Sequence, residues 1–202
     1  MTAVELLGWA GAVCGTVLGL PQLLRLVRIR RVDGLSLIAW QAMLALNLGW
    51  AAHGIDIGQP PQVVTSALSL CSTIPILWLM ARQLQRHVLR VLLPGPLAAA
   101  VLVSVDQLLG TTGFGIAVLV PTLVASAGQS LELVRSEGIV GVSVTFLILA
   151  VLNQAIWLSW ARLVPDMGST IAAAVTLGVT AFNLLWWTLR SLGLRPLLAT
   201  GG

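Results

Sequence analysis

Apolar stretches of roughly membrane-spanning length recur along almost the whole of this 202-residue chain, and no other feature limits its fold as tightly. A helix needs about 20 mostly apolar residues to cross the hydrocarbon layer, and about 17 suffice. Six stretches meet this: about 4–27, 36–54, 61–81, 113–134, 143–164 and 169–190. A seventh, about 91–109, is weaker, because Pro94-Gly95-Pro96 interrupts it and Asp106 sits near its end. Composition agrees: 57% of residues are hydrophobic and 9% charged, against about 25% charged in a soluble domain. Such a chain cannot cover a globule with solvated surface, which excludes water-soluble enzymes, nucleic-acid binders and disordered chains. All 11 basic residues are Arg, against 7 acidic ones. They lie between the apolar runs and form no basic face, so no nucleic acid is expected as a partner.

Absences narrow the class further. Without Lys, no retinal Schiff base can form. Cys14 and Cys71 lie inside apolar runs and make no CxxC. His53 and His87 read as loop residues without a partner pattern, and no nucleophile or phosphate-binding loop is recognisable. No metal, no cofactor and no enzymatic activity are expected. The opening MTAVE carries no basic region, and the apolar stretch after it exceeds a signal peptide's core, so the first helix is expected to be retained.

The chain also matches itself. A shift of 107 residues takes Gln22 onto Gln129, Leu26-Val27-Arg28 onto Leu133-Val134-Arg135, Gly34 and Ser36 onto Gly141 and Ser143, and Trp50 onto Trp157. Apolar matches come cheaply; matched Gln, Arg, Gly, Ser and Trp do not. Two copies of a three-helix unit are implied, as in many transporters. Arginines follow helices 1, 3, 5 and 7, and only Arg162 lies at the opposite ends. By the positive-inside rule the N-terminus is outside and the C-terminus cytoplasmic. Equivalent loops carry Arg on the same side in both copies, so the copies are parallel, which requires one more span between them. The fold expected is an all-α integral membrane protein: seven transmembrane helices as two parallel three-helix bundles plus one linker helix (3+1+3). Residues 1–89 form the first repeat, 90–110 the linker helix, and 111–202 the second repeat with a short cytoplasmic tail.

The stretch Leu20-Pro21-Gln22-Leu23-Leu24, followed by arginines and Gly34-Leu35-Ser36, resembles the PQ-loop motif, with Gly128-Gln129 and Gly141-Val142-Ser143 as its companion. With 3+1+3 helices and an outside N-terminus, nearly the whole chain resembles the SWEET sugar transporters, and a single copy resembles a SemiSWEET. The scaffold also resembles amino-acid exporters of the cystinosin type and, more remotely, the KDEL receptor. The resemblance implies a substrate pocket with a Trp near the end of the second helix of each copy, at Trp50 and Trp157. It also implies an Asn in the third helix, but this sequence has Ser66 and Ala173 there, and the family's further prolines are missing from their matching places.

Other readings come from the residues themselves. Pro21 lacks an N–H, so it frees the Val17 carbonyl and weakens helix 1; Gly128 holds the equivalent place in copy two. Pro21, Gln22, Gly128 and Gln129 are therefore hinge candidates, the two glutamines satisfying freed backbone groups. Trp40, Met43, Asn47 and Trp50 share one face of a helix, as do Asn153, Gln154 and Trp157. Ser66, Ser69 and Thr73 form a hydroxyl stripe; Thr176, Thr180 and Asn183 follow Ala173 in the same way. A Trp platform with neutral donors and acceptors suits a sugar's apolar faces and polar edges, so Trp50, Trp157, Ser66, Ala173, Asn47 and Asn183 are the substrate-site candidates. The competing reading of the hydroxyls is that they bond their own backbone or join helices. Trp9, Trp78, Trp160 and Trp186 read as interfacial or packing residues. No charge lies clearly at mid-depth, which favours a neutral solute moving downhill without ion coupling. Arg25 maps onto Glu132, and opposite charges there can latch an inner gate, the alternative being two snorkelling side chains. Gly11, Gly15 and Gly19 at four-residue spacing fit close packing within the bundle or against a second copy in a homo-oligomer.

The function expected is a plasma-membrane transporter that passes a small neutral solute, a sugar most of all, by alternating access. The alternatives are a PQ-loop amino-acid exporter with or without proton coupling, and a membrane receptor or scaffold that translocates nothing.

Overall fold

The computed structural model describes the backbone of residues 2–29, 36–135 and 142–195, and the side chains of these except 19–27, 29, 127, 129 and 132. Its helices are α1 (Ala3–Ile29), α2 (Leu37–Asp56), α3 (Pro60–Gln83), α4 (Val88–Leu92), α5 (Pro94–Ala117), α6 (Leu119–Arg135), α7 (Val144–Leu163) and α8 (Met167–Ser191). The helices expose many large apolar side chains, among them Val13, Leu97, Val101, Leu108, Val120 and Leu185. That surface is stable only in lipid. Among the described residues, Pro60–Gln83, Val88–Ser126, Val144–Leu163 and Met167–Ser191 are each long and apolar enough to cross a membrane.

Val88–Ser126 is 39 residues long, about twice one crossing. The backbone divides it at Gly110, whose φ of 70° and ψ of −173° no helix contains. An L side chain is strained in that left-handed region, so glycine permits the reversal there. The linker crossing ends at Gly110, and the next crossing starts at Thr111 and runs on through α6. The interruption expected at Pro94-Gly95-Pro96 falls at the boundary between α4 and α5, and both prolines sit in the first turn of α5. A first-turn N–H has no partner within the helix, so its absence costs nothing.

Two equal bundles emerge from the packing. In the first, α3 packs on both α1 and α2; in the second, α8 packs on both α6 and α7. Between bundles, α1 packs on α7 and α2 on α6. These contacts exchange under the 107-residue offset, as a two-fold axis between like-facing copies requires. The caps repeat as well: Ser36 has φ −80° and ψ 117°, Ser143 φ −75° and ψ 117°. Each hydroxyl accepts the N–H three residues on, at 3.3 Å. Close approaches repeat too. A Cβ on Gly8 would lie 3.0 Å from Pro61 Cγ, and one on the equivalent Gly115 would lie 2.7 Å from the Gly168 backbone. Seven crossings in a 3+1+3 order result. The linker breaks the symmetry: its Gly95 and Leu102 lie against Leu44 and Gly49 of α2, and it occurs once.

Candidate functional site

Depth along each crossing follows from helix rise. Trp50 lies six residues before the end of α2 and Trp157 six before the end of α7; Ser66 and Ala173 lie six after the starts of α3 and α8. At 1.5 Å per residue all four stand about 9 Å below the same end of the molecule. This is the end opposite the arginine-bearing termini of α3, α6 and α8. Asn47 stands about one turn deeper. Asn183 does not share this layer: it lies sixteen residues into α8, about 24 Å from that end.

Aromatic contacts hold the two tryptophans in equivalent ways. Trp50 meets His53 edge-to-face at 5.6 Å, and Trp157 meets Trp160 edge-to-face at 5.2 Å. His53 and Trp160 are themselves related by the offset, so each Trp is roofed by the residue one turn above it. Trp50 also meets Phe114 at 4.8 Å. Against α1, Trp157 lies so close to Gly11 that a Cβ there would come within 2.8 Å of Cε2. The glycine spacing of helix 1 thus makes room for an indole.

The polar groups just below this layer are neutral. Asn47 is buried, and its Nδ2 donates to Thr73 Oγ1 at 3.1 Å, while Thr73 donates to the Ser69 carbonyl at 2.8 Å. Thr180 repeats that bond to the Thr176 carbonyl at 3.0 Å, and Thr176 bonds Ala172. Most of the hydroxyl stripe therefore serves its own backbone. Among the described residues, Asn153 Oδ1, beside Gly15, and Asn183 Oδ1 in α8 are buried without a hydrogen-bond partner. A buried amide oxygen without a partner is costly unless something else supplies one.

The hinge candidates are reached only in part. The backbone stays helical through Pro21 and through Gly128; Gly128 is exposed, and no atom of the described residues stands within 4 Å of the place of its missing Cβ. The side chains of Pro21, Gln22 and Gln129, and both members of the Arg25/Glu132 pair, lie outside the described residues. At the arginine-bearing end, a cavity of about 440 Å³ lined by Gln41, Arg86, His87 and Arg90 lies away from the tryptophans.

One cluster escaped the sequence reading. His53 is not a loop residue: it lies in the last turn of α2, 1% exposed, with Asp106 and Asp166 buried beside it. Nδ1 stands 2.6 Å from Asp106 Oδ2, and Nε2 stands 3.2 Å from Asp166 Oδ2. Phe114 stacks flat on the imidazole at 4.3 Å. Asp166 caps α8, accepting the Gly168 and Ser169 N–H groups at 3.0 Å each. Burial pushes the Asp166 carboxyl up, but the bonds from His53 and from the start of α8 outweigh it and hold the group below the ordinary carboxylate range. The triad ties α2, the linker and the cap of α8 together directly above the tryptophan layer.

Residues 3–48 match the family model of the PQ loop repeat. Comparison with curated proteins gives no significant match. Among solved structures the chain is similar to a eukaryotic SWEET transporter determined at 3.7 Å resolution, with a TM-score of 0.70 at 12% identity over 95% of this chain and 100% of that one. The protein is a multi-pass membrane protein with a PQ loop repeat in its first bundle and the fold of a SWEET transporter.

Proposed function

We propose that this protein carries a small neutral solute, a sugar above all, across the plasma membrane by alternating access without ion coupling. The observation that carries the reading is the matched layer of Trp50, Trp157, Ser66 and Ala173 about the axis between two like bundles. The layer itself carries no charged residue, and the nearest charges, Asp106 and Asp166, are engaged by His53 above it, so a charged solute would find no free counter-ion there. Two indoles offer apolar faces to the C–H side of a sugar ring, while Asn47 and Asn153 offer amides to its edges. Asn183, deeper along α8, fits a later station on the path better than the same pocket. Rocking about Pro21–Gln22 and Gly128–Gln129 would open one end as the other closes. The arginine-bearing end faces the cytoplasm and the N-terminus lies outside.

One observation favours a second reading. A buried His between two carboxylates is a natural proton acceptor, which suits a proton-coupled amino-acid exporter on this scaffold. Counterflow into proteoliposomes, over a panel of labelled sugars and neutral amino acids, separates the two. Saturable flux of a sugar that an imposed proton gradient does not concentrate supports the first; gradient-driven amino-acid flux replaces it. Trp50→Ala and Trp157→Ala should each abolish flux in a protein that still elutes as a folded species, and unaltered rates would remove the pocket assignment.

A further inference from the structure

We propose that His53, Asp106 and Asp166 form a proton-binding site that locks the outer end of the molecule while its bridging proton is bound and releases it when that proton leaves. The statement about the outer side rests on the orientation given above; the locking does not.

The argument is a count of hydrogens. Both ring nitrogens of His53 face carboxylate oxygens, at 2.6 and 3.2 Å. Each contact needs one hydrogen between nitrogen and oxygen, so the closed arrangement needs two. An imidazolium between two carboxylates supplies them; so does a neutral imidazole between one carboxylate and one carboxyl group. The proton number is the same either way, and the net charge of the cluster is −1. Loss of one proton to the water on that side leaves a net charge of −2. One ring lone pair then points at a carboxylate, and a contact that held becomes one that repels. Among the described residues, α3, α4 and α6 bring no other titratable side chain within hydrogen-bond reach of the imidazole. The facing charges are Asp106 from α5 and Asp166 from the cap of α8; Asp56, one turn beyond His53 in α2, and Arg162, in the last turn of α7, are exposed at the same end. Burial of all three groups keeps water from screening the change.

Position turns this local event into a gate. Among the described residues α2 and α8 share no backbone packing, so the His53–Asp166 contact bridges them through side chains alone. The contact is between polar side chains at the edge of the apolar cluster that Leu46 of α2 and Ala172 of α8 share with Phe114, whereas the Gly115–Gly168 approach beside it brings backbone against backbone. Because the proton enters and leaves from one side, it does no work on the solute. Flux would respond to pH without being driven by a pH gradient, which distinguishes this site from a coupling site.

The test measures the outer end directly and needs no solute. Spin labels at Asp56 and Met167, both exposed, are placed in full-length protein lacking its two cysteines, in lipid nanodiscs. Their separation is followed from about pH 5 to about pH 8. A longer-distance population should grow as the pH rises, along a curve with the steepness of one proton. His53→Gln should abolish the pH response, and Asp106→Asn, which keeps the size of the side chain, should weaken or displace it. A distribution independent of pH in the wild type, or the same response in both variants, overturns the proposal. Absence of flux with the pH response intact would fault the transporter reading instead, and sugar flux with a pH-independent outer end would fault only the latch.

Discussion

Gly128→Ala separates stability from motion in α6. Gly128 lies inside a helix, exposed, with no atom of the described residues within 4 Å of the place where the new Cβ would stand. The methyl group therefore meets nothing, and only the backbone term remains. Alanine favours helix over glycine by about 1 kcal/mol at an interior position. In a chain of this size that raises the melting temperature by about 2–4 °C. If α6 bends at this residue during each cycle, the same energy opposes the bend, and flux falls up to about fivefold. Gly178→Ala is the control: Gly178 is equally open, but it lies in α8, where no hinge is placed. It should give the same thermal gain with flux unchanged. The assays are thermal unfolding in detergent, followed by loss of the monodisperse elution peak, and counterflow of whichever sugar the panel identifies. A stabilised Gly128→Ala protein with undiminished flux refutes the hinge. A destabilised one refutes the reading of open space.

Two further outcomes follow from contacts at the outer end. Gly115→Ala sets a Cβ 2.7 Å from the Gly168 backbone, where no side chain can turn aside, and should cost about 1–3 kcal/mol. Gly8→Ala meets only Trp160 and Pro61 side-chain atoms and should lose less; equal losses in a thermal melt would refute the distinction. Asp166 is held below the ordinary carboxylate range in the folded protein. Its contribution is therefore present above the unfolded value and lost as pH falls through the lower, folded value. Asp166→Asn should flatten the acid limb of melting temperature against pH below about pH 4, and superimposable limbs in the two proteins would refute it.

Seven crossings, their parallel pairing and the offset between copies were legible in the sequence, because polar identities recur there at one fixed shift. Local backbone geometry was less so. Glycine is common in this chain, and nothing marks Gly110 in advance as the one that reverses it between two crossings. The Pro94-Gly95-Pro96 run marks the boundary between α4 and α5: proline breaks a helix interior but suits a first turn, so the crossing begins there. The triad stayed hidden because its contacts join residues 53 and 113 positions apart. Charges near helix ends also read as interfacial when taken one at a time. Topology held a signal nonetheless: α2 and the linker finish, and α8 begins, at one end of the molecule, which brings His53, Asp106 and Asp166 to a common level.

The same offset explains why such a cluster can exist in a fused chain. His53 corresponds to Trp160, and Asp166, the cap of α8, corresponds to Gln59, the cap of α3, which makes no side-chain capping bond. On one side of the axis the roof is an imidazole held by carboxylates. On the other it is an indole, fully buried against Val4, Leu7 and Ile57. Asp106 has no counterpart, because the linker occurs once. A symmetric pair of identical three-helix units would have to carry the same roof twice and would have no linker to complete a triad. Fusion frees one copy to keep an apolar plug while the other takes up a titratable contact. The asymmetry needs no change in the bundles, since caps, glycine contacts and tryptophan depths still match across the axis. A single-copy version rebuilt from residues 1–89 would retain Trp50 and His53 but lose both carboxylate partners, and a pH-sensitive outer end would be lost with them.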